Sequence, residues 1–142
     1  MIAVDTNLLV YAHRAGLPEH PAARRALGWA RNDIRGWGLA LPCIAEFWSV
    51  VTHPASAGGP STPQQAYNFL AALVIQAEAS VWLPRDDFWD RLARLAVHLG
   101  VQGPRIFDLQ IALTAFENGA SELWTHDSGF LSVPGLPVYD PL

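Results

Sequence analysis

Four acidic side chains are the residues of this sequence whose type and spacing best suit chemistry: Asp5, Glu46, Asp108 and Asp127. Asp5 ends a predicted strand, Glu46 lies in the first turns after the next strand, and Asp127 follows a later strand. Asp108 lies near the start of the helix that leads into that later strand. Because parallel strands share one carboxyl edge, where ligand sites form, we expect these carboxylates to converge there. Like charges held together raise one another's pKa unless a cation neutralises them.

The cation predicted for such a cluster is Mg²⁺ or Mn²⁺, because these ions prefer hard oxygen ligands. Such an ion activates water and stabilises the charge that builds on phosphoryl oxygens, which indicates phosphodiester hydrolysis. One ion or two would satisfy the pattern. Zinc chemistry is disfavoured, because the five histidines show no close pairing at helical ligand spacing.

Each acidic residue also has an ordinary structural explanation when it is taken alone. Asp5 suits a helix N-cap, and Asp127, within Thr-His-Asp-Ser-Gly, suits a turn. Glu46 belongs to the one polar stripe of a helix apolar enough to be largely buried, and that stripe either lines a cleft or faces solvent.

Asp108 is the acidic residue that a structural role explains least well. Helical periodicity places it on the apolar side of its helix beside small alanines, with Thr114 on the opposite, polar side. A carboxylate on such a stripe costs roughly several kcal/mol of desolvation unless it is paired, capped or metal-bound. The pattern therefore favours a functional Asp108.

The elements that must position these residues alternate between strand and helix, which is typical of a mostly parallel sheet covered by helices. Strands are predicted at residues 2–5, 37–41, 80–83, 122–125 and, weakly, 137–139. Helices are predicted at residues 6–12, 22–30, 42–53, 62–74, 88–99 and 106–118, with a Gly/Pro-rich loop at 55–61. Thr62 opens the fourth helix with a capping sequence, and Gly100 ends the fifth.

Composition narrows the class of protein. The 142 residues suit one domain, and 51% hydrophobic with 15% charged residues indicates a folded globule. A net charge of −4 is not that of a general nucleic-acid binder, although it suits a nuclease whose acidity is concentrated where cations bind. The single cysteine, Cys43, fits a reducing compartment and is interpreted as buried and structural. Neither a signal segment nor a membrane span is predicted, so a cytoplasmic protein is expected.

The order and spacing of these motifs resemble a PIN domain, and within that family the VapC-type toxins of prokaryotic toxin–antitoxin pairs. The residues that carry the resemblance are Val4-Asp5-Thr6-Asn7, Glu46, Arg105-Ile106-Phe107-Asp108 with Ile111-Ala112, and Thr125-His126-Asp127 with Phe130.

The resemblance implies a three-layer α/β/α sandwich around a mostly parallel sheet of about five strands, as a single PIN-like nuclease domain over residues 1–142. It also implies Mg²⁺- or Mn²⁺-dependent endoribonuclease activity on an RNA substrate, with the four carboxylates as metal ligands. A homodimer and a cognate antitoxin are the implied protein partners.

The resemblance implies roles for four further residues. Hydroxyl or amide groups at Thr6, Asn7 and Thr125 would orient water or phosphate, with Thr125 on the same side of an extended segment as Asp127. Arg105 would either hold a substrate phosphate or pair with a carboxylate of the site.

Four other classes of protein are alternatives to a ribonuclease. Aspartyl-phosphate phosphatases and phospho-accepting receiver domains both use a lysine, and the phosphatases use a second aspartate where this chain has Asn7; the chain contains no lysine. A nuclease of flapped DNA would need clamp and arch insertions for which the chain has no room. The serious alternative is a catalytically inactive PIN-like module that binds RNA or protein.

Overall fold

Short apolar segments form the five strands of the computed structural model, which describes residues 1–142. The strands are β1 (Ile2–Val4), β2 (Trp37–Ala40), β3 (Ser80–Trp82), β4 (Glu122–Trp124) and β5 (Val138–Tyr139). All are parallel and follow the order β3-β2-β1-β4-β5, so the sequence correctly predicts a parallel sheet of five strands.

The strand order creates a reversal at the centre of the sheet. The chain moves outward from β1 through β2 to β3, then crosses to the other side of β1 to form β4 and β5. Because crossovers between parallel strands are right-handed, this reversal places helices on both faces of the sheet and gives the predicted three layers. The carboxyl ends of β1 and β4 lie side by side at this reversal, the usual place for a ligand site in an open α/β sheet.

Six helices connect the strands. They are α1 (Thr6–His13), α2 (His20–Asn32), α3 (Leu41–Thr52), α4 (Pro63–Ala71), α5 (Phe88–Leu99) and α6 (Arg105–Glu117), and α4 continues as a π-helical turn (Ala72–Gln76). The predicted capping sequence is confirmed, because Thr62 and Gln65 form a reciprocal capping box at the start of α4. The predicted end of α5 is also confirmed, with Gly100 in a left-handed conformation.

Two predictions about helix faces are wrong. Thr114 was assigned to a polar side of α6 but is completely buried, because α6 is surrounded over most of its circumference and the hydroxyl is satisfied by the Gln110 carbonyl. Helix α3 was expected to be largely buried, yet Leu41 and Val50 are 42% and 43% exposed. Only one stripe of α3 enters the core, and its second apolar face remains open.

The packing of β2 against β3 leaves no room for a side chain at Gly38. A Cβ at this position would lie 2.6 Å from the Trp82 ring and 2.8 Å from the Ser80 carbonyl oxygen. We expect Gly38→Ala to lower the free energy of unfolding by about 2 kcal/mol, because the backbone contact cannot relax as a flexible side chain would. Urea unfolding measures the change. Gly28→Ala, in α2 with open space around the added Cβ, is the control and should raise it by about 0.5–1 kcal/mol.

A membrane-spanning helix is absent: each of the six is too short or too polar to cross a bilayer.

Candidate active site

Asp5 lies at the centre of the site, where β1 ends and α1 begins. Its Oδ1 accepts a hydrogen bond from the Thr6 amide at 2.7 Å, so Asp5 is the N-cap of α1. Its Oδ2 accepts a hydrogen bond from the Thr125 hydroxyl at 2.7 Å, and the residue is only 7% exposed. The structural and functional explanations of Asp5 are therefore compatible, since capping uses one oxygen and fixes the other within the crevice.

Thr125 connects the ends of β1 and β4. Besides donating to Asp5, its Oγ1 accepts hydrogen bonds from the Asn7 side-chain amide at 2.8 Å and from the Asp127 backbone amide at 3.1 Å. The side-chain oxygen of Asn7, Oδ1, accepts a hydrogen bond in turn from the His126 backbone amide at 3.3 Å. Both polar ends of Asn7 are thus engaged inside the site, and its contacts are those of a positioning residue.

Glu46 and Asp108 approach Asp5 from two different helices. Glu46 projects from the second turn of α3 and Asp108 from the first turn of α6. The backbone amide of Leu131 donates to Asp108 Oδ2 at 3.3 Å, which fixes that carboxylate against the segment that follows β4. Asp108 is half-buried and Glu46 is exposed to solvent in the crevice.

Asp127 occupies the tight turn after β4. Its Oδ1 accepts a hydrogen bond from the Gly129 amide at 2.8 Å, as the turn interpretation predicted. Arg105 donates a hydrogen bond to the Gly129 carbonyl oxygen and forms no ion pair with a carboxylate. Arg105 therefore holds the Asp127 turn in place, a role that neither sequence-based alternative included.

The pKa values show that these carboxylates act on one another. Burial raises the pKa of Asp5 to about 6, against the lowering effect of its hydrogen bonds from Thr125 and Thr6, and the charges of Glu46 and Asp108 raise it further. Partial burial likewise raises the pKa of Glu46, a hydrogen bond from the Thr6 side chain partly counters the rise, and the Asp108 charge adds to it.

Asp108 links Asp127 to this group. Burial raises the pKa of Asp108, the Leu131 amide lowers it, the Asp127 charge raises it, and the Arg105 charge lowers it. The structure thus brings the four predicted acidic residues into one electrostatic cluster at the sheet reversal. Negative charge in this cluster is incompletely neutralised by the protein itself.

The donor set fits a divalent cation in its chemistry. The Thr6 hydroxyl is buried without a hydrogen bond of good geometry, although it lies close enough to the Glu46 carboxylate to lower its pKa. No three acidic, histidine or cysteine side chains form a ready-made chelating group. Any cation would therefore complete its coordination with water or substrate oxygens, as Mg²⁺ commonly does.

One feature of the site has little signature in the sequence. The segment 129–131 fixes both Asp108 and Asp127 through backbone amides, and backbone donors leave no residue-type pattern beyond the glycine.

Cys43 is completely buried and burial raises the pKa of its thiol, which agrees with the predicted structural role.

Thr125 provides a test of how the site is held together. We expect Thr125→Val to lower the free energy of unfolding by about 2 kcal/mol, because the buried Asp5 oxygen and the Asn7 amide lose their partner. It should also raise the pKa of Asp5, which the Thr125 hydrogen bond holds down. Urea unfolding and carboxyl NMR titration without divalent cations measure the two effects. Thr125→Ser, which keeps the hydroxyl, should restore the pKa; an unchanged pKa in Thr125→Val would contradict this arrangement.

The fold and the site together define the general class of this protein: a parallel α/β domain whose carboxylates cluster where the strand order reverses. The PIN-domain family model matches residues 2–136, and the chain belongs to that family. The resemblance identified in the sequence is therefore confirmed. A VapC ribonuclease of Mycobacterium bovis is 37% identical over 142 residues, which cover 100% of this chain and 96% of that protein. Ribonuclease VapC43 of Mycobacterium tuberculosis matches with the same identity and coverage.

Solved structures share the fold. VapC20 of Mycobacterium tuberculosis, described as a Sarcin-Ricin loop cleaving toxin, has a TM-score of 0.68 at 17% identity, covering 94% of this chain and 98% of that one. VapBC2 from Rickettsia felis, bound to a DNA fragment from its promoter, gives a TM-score of 0.70 at 18% identity, covering 99% and 98%. At these identities the likeness concerns the fold.

Proposed function

We propose that the protein is a metal-dependent endoribonuclease that hydrolyses RNA phosphodiester bonds as the toxin of a toxin–antitoxin pair. The observation that carries the proposal is the cluster of Asp5, Glu46, Asp108 and Asp127, whose charges no arginine neutralises by direct pairing. Full-length similarity to a relative named as a ribonuclease supports RNA as the substrate.

In the proposed mechanism the four carboxylates hold Mg²⁺ or Mn²⁺ through their oxygens. When bound, the cation would strengthen water as a nucleophile at neutral pH and stabilise charge on the phosphate oxygens. Thr125 and the Thr6 amide hold Asp5 in one orientation, which keeps the remaining lone pairs of its oxygens directed into the crevice.

Three side chains would position the substrate or the site in this mechanism. The buried Thr6 hydroxyl would act through Glu46, whose pKa it lowers, by holding that carboxylate toward the site. Asn7 orders Thr125, and the remaining N–H groups of Arg105, which is exposed beside the Asp127 turn, are available to an RNA phosphate.

A cleavage assay tests the proposal directly. The purified protein is incubated with single-stranded RNA of randomised sequence, and with DNA of the same design, in Mg²⁺, in Mn²⁺ and in chelator. We expect internal cleavage of RNA that chelator stops and that the returned cation restores. Folded protein that cleaves no RNA would favour a binding module instead, whereas cleavage that continues in chelator would contradict only the metal requirement.

The partners belong to the same proposal. Expression is expected to arrest growth, and co-expression of a cognate antitoxin is expected to relieve the arrest. A homodimer is expected from the family resemblance, and light scattering during size-exclusion chromatography measures it. Growth that is unaffected by expression of active protein would contradict the toxin role but not the hydrolysis.

A further inference from the structure

A groove of about 660 Å³ opens beside the carboxylate cluster, between the start of α3 and the exposed face of α6. Its lining includes Leu41, Pro42, Glu46, Ser49, Phe107 and Gln110. The volume lies within the range of small-molecule sites in proteins. We propose that this groove holds a base of the RNA next to the bond that is cut, stacked on Phe107; the proposal rests on the ribonuclease function argued above.

The groove and the cluster are continuous. Glu46 lines the groove and is also one of the four carboxylates, and Phe107 directly precedes Asp108 on α6. A nucleotide whose phosphate lies among the carboxylates therefore has a neighbouring base within reach of the groove. No such continuity connects the cluster to the larger cavity at the 57–61 loop, which includes none of the four acidic residues.

Phe107 is presented to solvent although its helix is mostly buried. Its side chain is 60% exposed, whereas Leu109 and Ile111 on the same helix belong to the core. The ring is therefore not needed for packing, and it extends an apolar surface that Leu41 and Pro42 continue on α3. Exposed aromatic rings are the platforms on which proteins stack bases of single-stranded RNA.

The charge of the groove favours a base over a phosphate. Glu46 is its one charged lining residue, and no arginine contributes to it. A phosphate would be repelled there, whereas a neutral base would pack on the apolar surface. Ser49 and Gln110 supply a hydroxyl and an amide at the edge of the groove, the kinds of groups that read the edges of unpaired bases.

Two variants on one helix test the proposal. Phe107→Leu keeps an apolar side chain but removes the ring, and Phe107→Trp keeps a stacking surface. Phe116→Leu is the matched control, because Phe116 is a partly exposed phenylalanine at the other end of α6. On a cleaved single-stranded RNA we expect Phe107→Leu to lose roughly 5- to 150-fold in kcat/KM, mostly through a higher KM, while Phe107→Trp and Phe116→Leu retain activity.

Removal of single bases from the RNA locates the contact. Each nucleotide beside the cut is replaced in turn by an abasic one. At one position, the abasic replacement should lower the cleavage rate of the wild-type protein as much as Phe107→Leu does on the intact RNA. The same replacement should not lower the cleavage rate of the Phe107→Leu protein any further. The proposal would be overturned if the losses in cleavage rate from the abasic replacement and from Phe107→Leu were additive, or if Phe107→Leu and Phe116→Leu were equally active. The groove would then be a contact surface for an apolar protein partner.

A binding readout separates this proposal from the function on which it rests. RNA carrying the fluorescent base aminopurine at successive positions is titrated with Asp108→Asn protein, with and without Phe107→Leu. We expect quenching at one position that depends on the ring. Quenching that depends on Phe107, together with no RNA cleavage by the wild-type protein, would retain the base site and reject the enzyme. Quenching that is independent of Phe107 would reject the base site.

Discussion

Asp108→Asn is expected to reduce the rate of RNA cleavage on the order of 1,000-fold or more, and Asp5→Asn is expected to do the same. In the proposed mechanism each substitution removes a charged oxygen ligand. Loss of the cation would then remove several kcal/mol of transition-state stabilisation, at a tenfold loss for every 1.36 kcal/mol. Initial rates at saturating Mn²⁺ and at limiting Mn²⁺ measure the effect. Weaker cation binding should make the loss larger at limiting Mn²⁺.

The control for this pair is Asp86→Asn, which removes an exposed aspartate that lies outside the cluster. It changes net charge by the same amount, so it accounts for any general electrostatic effect on RNA binding. Equal rates in Asp86→Asn and wild type are expected. Cleavage that survives both Asp5→Asn and Asp108→Asn would reject the proposed mechanism, provided that circular dichroism shows both variants folded.

The stability of the cation-free protein is expected to decrease as pH rises from about 4 to about 7. The pKa of Asp5 is raised from 3.8 to about 6 in the folded state, so between these values the native protein binds more protons than the unfolded chain. Its free energy of unfolding therefore falls as pH increases, by about 3 kcal/mol from Asp5 alone. The raised pKa values of Glu46 and Asp108 act in the same direction.

Other titrating groups affect this pH range differently, so the measurement is a comparison. Burial lowers the pKa of His13, so this group makes the free energy of unfolding rise with pH near neutrality. The pKa of Asp33, which pairs with Arg35, is lowered to about 2, so the stabilising effect of this pair is lost only in acid. The difference between wild type and Asp5→Asn isolates Asp5. We expect urea unfolding in chelator to show that Asp5→Asn gains about 3 kcal/mol relative to wild type between pH 4 and pH 7.

Divalent cation should reverse this trend in wild type only. At pH 7, Mg²⁺ or Mn²⁺ that binds the folded state would restore stability by mass action, while Asp5→Asn, which lacks a ligand, should respond little. If the difference in free energy of unfolding between the two proteins does not change with pH, the pKa of Asp5 is not raised in the folded protein.

The central fold follows from the sequence because its signals are local. The apolar segment before Asp5, the capping box at Thr62 and the glycine at position 100 each determine an element boundary through nearby residues alone. Two of the predicted strands end one residue earlier than expected, since the expected last residue of each belongs to the start of the next helix. Asp5 was included in the first strand but caps α1, and Leu41 was included in the second strand but begins α3.

The features that could not be predicted depend on which surfaces meet. Thr114 looks polar in the sequence, but its hydroxyl is satisfied within the helix, so the residue can be buried. The apolar residues of α3 give no sign that one of its faces stays open, because apolarity alone does not identify the packing partner. Arg105 could not be assigned to the Gly129 carbonyl, since that contact spans 24 residues and uses the backbone.

The hydrogen bond between Thr125 and Asp5 joins residues that are 120 positions apart. During synthesis, a chain that has emerged only through β3 therefore carries Asp5 and Glu46 but neither of the later acidic residues nor the strand that orients them. Under the proposed function, an unfinished or prematurely terminated product of this length would lack two of the four carboxylates and would therefore not cleave RNA.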